Sequence, residues 1–136
     1  MAWTYTTLTQ AIKDYVQTTE TTFVNNIDVF IQQAETRIVR RAGLPVFRKN
    51  TTGTMTTDNQ YLGVPTDFLS PYSLAISSGG SYEYLITKDV NFIREAYPAA
   101  ATTGTPKYYA IFDNDAFIVG PTPDADYTSE LHYHYK

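Results

Sequence analysis

The chain has 136 residues and a formal net charge of -4, so it suits one domain of ordinary size and does not attract nucleic acid by bulk charge. It contains no cysteine, which excludes disulfides and thiolate metal sites. No apolar run is long enough to span a bilayer, and the first residues lack a basic segment followed by an apolar one, so neither a membrane partner nor a secretory signal is expected.

The chain is rich in Tyr, with 12, and in Thr, with 21. Both types pack well on a pleated surface and favour strands. Charge is uneven: residues 1–50 carry six basic and four acidic side chains (+2), and residues 51–136 carry four basic and ten acidic ones (-6).

In chain order, the first element is a helix over residues 8–17, with Leu8, Ala11, Ile12, Tyr15 and Val16 on one face. Thr6 or Thr7 is expected to cap it, because a hydroxyl there accepts an orphan backbone N–H. A second helix follows the polar stretch at 18–22. Phe23, Ile27, Phe30, Ile31, Ala34, Ile38 and Ala42 recur at helical spacing, and Gly43 with Pro45 ends the element. Arg37, Arg40 and Arg41 sit in its last turns, where cations favour the negative end of the helix dipole.

The pattern then changes to strands: 48–57, 61–64, 73–77, 82–86, and a hairpin of 108–112 with 116–119 around Asp113-Asn114-Asp115. A short helix over 88–96, capped by Thr87 and ended by Pro98, interrupts them, and 99–106 reads as a loop. The last strand alternates. Tyr127, Ser129, Leu131, Tyr133 and Tyr135 face one way, and Thr128, Glu130, His132, His134 and Lys136 the other, so one face is buried. The fold class is therefore α+β: an N-terminal pair of antiparallel helices, then a small antiparallel β domain with one short inserted helix. Residues 1–50 form the helical segment and 51–136 the β domain, within one compact structure.

Residues for chemistry are sparse. There is no phosphate-binding Gly-rich loop, no Cys nucleophile and no Gly-x-Ser-x-Gly elbow. His132 and His134 share a strand face, but a stable zinc site takes three or four ligands and no third is nearby, so they read as a polar face. Asp113-Asn114-Asp115 and Asp124-Ala125-Asp126 start like calcium loops but lack the later glycine and acidic residue, and Asp and Asn are common turn formers. No catalytic, cofactor or metal residue is assigned, and an enzyme is not expected. The one basic cluster, Arg37, Arg40, Arg41, Arg48 and Lys49, is the candidate partner interface, set against a plain reading as dipole compensation and a solvated face. The tyrosines are too many for the core of a small domain. Some belong at a contact, either with protein or, as an alternative function, with the sugar rings of a glycan.

Several segments together resemble the head-to-tail adaptor proteins of tailed bacteriophages, particularly those with short tails. The end of the second helix, Gln33-Ala34-Glu35-Thr36-Arg37-Ile38-Val39-Arg40-Arg41, and its exit Leu44-Pro45-Val46-Phe47-Arg48 look like theirs. So do the strand and turn Tyr61-Leu62-Gly63-Val64-Pro65-Thr66-Asp67-Phe68-Leu69, the segments Thr105-Pro106-Lys107-Tyr108-Tyr109 and Phe117-Ile118-Val119-Gly120-Pro121-Thr122-Pro123, and the closing strand from Tyr127 to Tyr135. The resemblance covers nearly the whole chain. It implies a virion structural protein without a cofactor, assembled in the host cytoplasm and placed in the neck between capsid and tail. It implies a ring of typically about twelve copies, docked under the portal protein, receiving the tail nozzle or tube below, with double-stranded DNA passing through the channel without sequence recognition.

Overall fold

The computed structural model describes residues 2–136. The chain forms two compact units, the first ending at Gly43 and the second running Leu44–Lys136.

The first unit is a helix pair, α1 (Tyr5–Val16) and α2 (Thr21–Ala42). Thr4, rather than Thr6 or Thr7, caps α1: its hydroxyl accepts from the Thr7 N–H at 3.2 Å, and the Thr7 hydroxyl accepts from the Thr4 N–H at 2.8 Å. This reciprocal pair satisfies two orphan groups at once, which is why the helix starts three residues earlier than the apolar pattern does. Gly43 ends α2 in the left-handed region, φ 54°, where a glycine carries no Cβ penalty. Of the apolar stripe on α2, only Ile27 and Ile31 are buried. Phe30 and Ile38 stay 49% and 52% exposed. A second helix covers a narrower arc than the stripe spans.

The second unit is built on two four-stranded sheets. After a single 3-10 turn (Pro45–Phe47), the strands are β1 (Arg48–Met55), β2 (Tyr61–Gly63), β3 (Phe68–Ser78), β4 (Ser81–Tyr84), β5 (Ile86–Thr87), β6 (Thr103–Gly104), β7 (Tyr108–Ile111), β8 (Ala116–Gly120), β9 (Thr122–Pro123) and β10 (Tyr127–Tyr135), with α3 (Val90–Ala96) between β5 and β6. One sheet has the order β1-β10-β3-β4, all antiparallel; the other has the order β2-β8-β7-β5. The core lies between their inner faces: Met55, Leu74, Ile76, Leu131 and Tyr133 from the first sheet, and Leu62, Tyr109, Phe117 and Val119 from the second. The period-two reading of β10 places its inner face as found, with Ser129, Leu131 and Tyr133 buried. The strand is central, bonded on both sides.

The α+β class and the order of a helix pair then a β region hold, but further local expectations change: the strand expected at 73–77 runs Phe68–Ser78, and the loop expected at 99–106 contains β6. The segment 82–86 is two strands, not one. Leu85 turns its side chain into the core while its N–H bonds Leu74 O at 2.9 Å, and the next N–H, of Ile86, bonds Lys107 O at 2.9 Å, so the chain switches sheet at that residue. The β region is not wholly antiparallel: β5 runs parallel to β7, with α3 in the crossover, and β6 runs parallel to β9. Parallel strands need such a long connection, and two-residue strands leave no periodicity to read. The cap of α3 is Asp89, whose carboxylate accepts from the Phe92 N–H at 2.7 Å, rather than Thr87. Ile93 of α3 packs on Ala110 and Ile118, the outer face of the second sheet. Gly120 permits this approach, since a Cβ there would lie 2.8 Å from Tyr97 and 3.0 Å from Ile93.

Candidate partner interface

The five basic residues divide between the two units. Arg37, Arg40 and Arg41 lie exposed on the last turns of α2, and among the described residues no carboxylate lies within ion-pair distance of them. They are three guanidinium groups available to an outside partner.

Arg48 and Lys49 stand on β1 and are engaged inside the β unit. The Arg48 guanidinium lies 4.1 Å from the Tyr72 ring centre, a cation–π stack, and its Nε is 3.4 Å from His134 Nε2. Lys49 Nζ is 2.6 Å from an Asp67 oxygen and 4.2 Å from the Tyr135 ring centre. The other Asp67 oxygen accepts from the Tyr133 hydroxyl at 2.8 Å. These two donors, Lys49 first, hold the Asp67 carboxyl below its ordinary range. Burial, and then the Asp67 acceptor, push the Tyr133 hydroxyl up to about 12. Lys49, Asp67 and Tyr133 thus tie the edge strand, the β2–β3 turn and the central strand together.

The outer face of the first sheet was hidden in the sequence among twelve tyrosines. On it lie Arg48, Asn50, Glu130, His132, His134, Tyr72, Tyr82 and Tyr84. Asn50 donates to the Glu130 carboxylate, and Tyr82 also bonds it, so the Tyr82 hydroxyl is raised and the Glu130 carboxyl lowered. Tyr72 stacks edge-on with His132 and His134 at 5.6 and 6.2 Å. His134 contacts Ser70 through its other ring nitrogen, at 3.4 Å, so both nitrogens meet protein groups. Tyr72, Tyr82 and Tyr84 are 55%, 61% and 70% exposed, whereas Tyr109 and Tyr133 are core. The signal that sorts them is strand pairing: Tyr84 stands opposite Ala75 and Tyr82 opposite Ser77, on the face away from the sandwich.

The acidic side chains at the turns are engaged within the fold. Asp113 closes its own turn, accepting from the N–H groups of Asp115 and Ala116 at 2.8 Å each. Asp126 accepts from the Thr57 N–H and hydroxyl, which lowers its carboxyl. Among the described residues no group of three His, Asp or Glu is placed to hold a metal ion. A cleft of about 460 Å³ beside Gln10, Lys13, Asp14 and Gln17 holds no nucleophile paired with a base. Among the described residues no helix is long and apolar enough to cross a membrane. What the surface offers is contact area: free arginines on a helix end, exposed apolar residues on both helices, and a tyrosine-rich sheet face.

No curated protein matches the sequence. The family described as SU10 adaptor protein matches residues 3–136, which takes in the helix pair and every strand of the β unit. The chain belongs to the SU10 adaptor protein family, and is thus a structural adaptor protein of a bacteriophage virion, of the head-to-tail kind.

Proposed function

We propose that this adaptor is a non-enzymatic ring subunit that joins the portal to the tail nozzle or tube in the neck of the virion. The observation that carries the reading is the family match across both units. Roughly a dozen copies form a closed ring of cyclic symmetry, assembled in the host cytoplasm, through whose channel double-stranded DNA is packaged and later ejected. The DNA passes without sequence recognition. The residues past 50, at -6, repel the phosphate backbone and so keep the channel from holding it. Arg37, Arg40 and Arg41 meet an acidic surface of the portal, where their planar forks pair carboxylates bidentately, and Arg48 and Lys49 on β1 of the other unit offer a second contact with a partner.

Sedimentation velocity of the protein with and without the portal of the same phage tests this. A portal complex heavier by about a dozen chains is expected; no shift at micromolar concentration would overturn it. Reversing Arg40 and Arg41 to Glu should weaken portal binding while leaving the fold intact by circular dichroism. Unchanged binding would remove the arginines from the interface.

A further inference from the structure

The first sheet has two open edges. β1 bonds only β10, and β4 bonds only β3. Among the described residues no further backbone bond involves 49–55 or 81–84. Consecutive residues are exposed on both strands: Lys49 and Asn50, then Thr52–Thr54 on β1, and all of Ser81–Tyr84 on β4. Unpaired N–H and C=O rows of this kind are templates for another strand.

The two edges are complementary to each other rather than to themselves. The sheet has four strands that alternate in direction, so β1 and β4 point opposite ways. Placing the β4 edge of one copy against the β1 edge of the next therefore continues an all-antiparallel ladder. Their chemistry matches too. β1 presents Arg48, Lys49 and Asn50, and β4 presents Tyr82, Glu83 and Tyr84 with no basic residue.

We propose that neighbouring copies join head to tail by pairing β4 of one with β1 of the next, in the register that sets Tyr84 opposite Arg48, Glu83 opposite Lys49, Tyr82 opposite Asn50 and Ser81 opposite Thr51. The proposal rests on the ring reading above. This register keeps the faces matched. Asn50 and Tyr82 both bond Glu130 on the outer face, so Arg48 and Tyr84, two residues away on each strand, lie outward as well. Lys49 and Glu83 then meet on the opposite face, where Glu83 extends the Lys49–Asp67 pair across the seam. Opposite charges directly across an antiparallel pair are favourable and like charges are not. The contact is heterologous, the type that closes rings.

The absence of native cysteine makes the test direct. In the full chain, Thr51→Cys and Ser81→Cys stand on opposite edges of one sheet, three strand spacings apart and offset along the strands, since Ser81 lies level with Met55; the separation therefore exceeds about 14 Å, too far for a bond within one copy. Oxidation of rings assembled from the double variant on the portal should give a ladder of covalent oligomers on a non-reducing gel. A mixture of the two single variants should stop at dimers, and either single variant alone should give none. As a second variant, Glu83→Lys should weaken assembly by about two- to fivefold per contact. Rings that form normally from the reduced double variant, yield no ladder on oxidation and tolerate Glu83→Lys would overturn the strand pairing and leave the ring reading standing. Failure of the unaltered protein to form any ring on the portal would remove both.

Discussion

The two units solve the burial problem differently. The β unit closes its core between two sheets, with ten buried residues in one cluster and a second small cluster under α3. The helix pair buries only Ile27 and Ile31 as large side chains, while Trp3, Tyr15, Val29, Phe30 and Ile38 stay exposed, Tyr15 by 90%. Apolar area removed from water is the dominant favourable contribution to folding, so the β unit carries its own stability. The helices leave most of their large apolar side chains exposed.

The sharpest way to break this contrast is at the centre of the sandwich. Phe117 is fully buried and meets Phe68 and Tyr109 edge-on, each at 5.3 Å. Phe117→Ala should cost about 3–5 kcal/mol, read as a large drop in the denaturant midpoint; a loss below about 1 kcal/mol would mean the core is not closed around this ring. A smaller effect, about 1–3 kcal/mol, is expected for Gly120→Ala, whose methyl would press on Tyr97 and Ile93. Hydrogen exchange should quicken in α3 while β10 stays protected, and equal quickening in both would show that α3 is not a separately displaced element.

The Lys49–Asp67–Tyr133 link gives two pH signatures. Asp67 has a folded pKa below its unfolded value, so its contribution is present above about pH 4 and is lost as the pH falls through the lower folded value. The stability difference between the native chain and Asp67→Asn should therefore shrink on acidification, and a constant difference would argue that the carboxylate is unpaired. Tyr133 has the reverse ordering of states at high pH. Its hydroxyl is raised from 10.0 to about 12, so neutral Tyr133 stabilises the fold below about pH 10, and this is lost as the pH rises through the folded value. In an ultraviolet titration Tyr133 and Tyr5, whose hydroxyl is also raised to about 12 by its bond to Asp28, should ionise late, and Tyr133→Phe should reduce that late step by one tyrosine.

The least effect on stability is expected where the helices are exposed. Phe30→Ser with Ile38→Ser should change the unfolding free energy by only about 0.5 kcal/mol per site, yet reduce association with the portal or with other copies. A large loss of stability with association intact would reverse the contrast between the units.

Much of this architecture was legible because its cause is local. The 3.6-residue spacing from Phe23 to Ala42 and the Gly43 stop define α2 whatever surrounds it, and the two-residue alternation from Tyr127 to Tyr135 separates the inner face of β10 from the outer one. What the pattern could not supply is the partner of each element. The stripe on α2 reads as seven core positions, but burial depends on how many elements cover it. The tyrosines read alike until strand pairing sends Tyr109 and Tyr133 inward and Tyr72, Tyr82 and Tyr84 outward. The basic residues from Arg37 to Lys49 form one cluster along the chain, yet those on α2 are free while Arg48 and Lys49 bind Tyr72, His134 and Asp67, because those partners come from strands distant in the chain. Sequence by itself determined the periodic elements, the stop at Gly43 and the family, whereas the capping residues Thr4 and Asp89 emerged only in the structure. The tertiary structure alone decided the change of sheet at Leu85, the parallel pairs and the open edges of β1 and β4, because hydrogen bonds between strands join residues whose separation along the chain leaves no local trace.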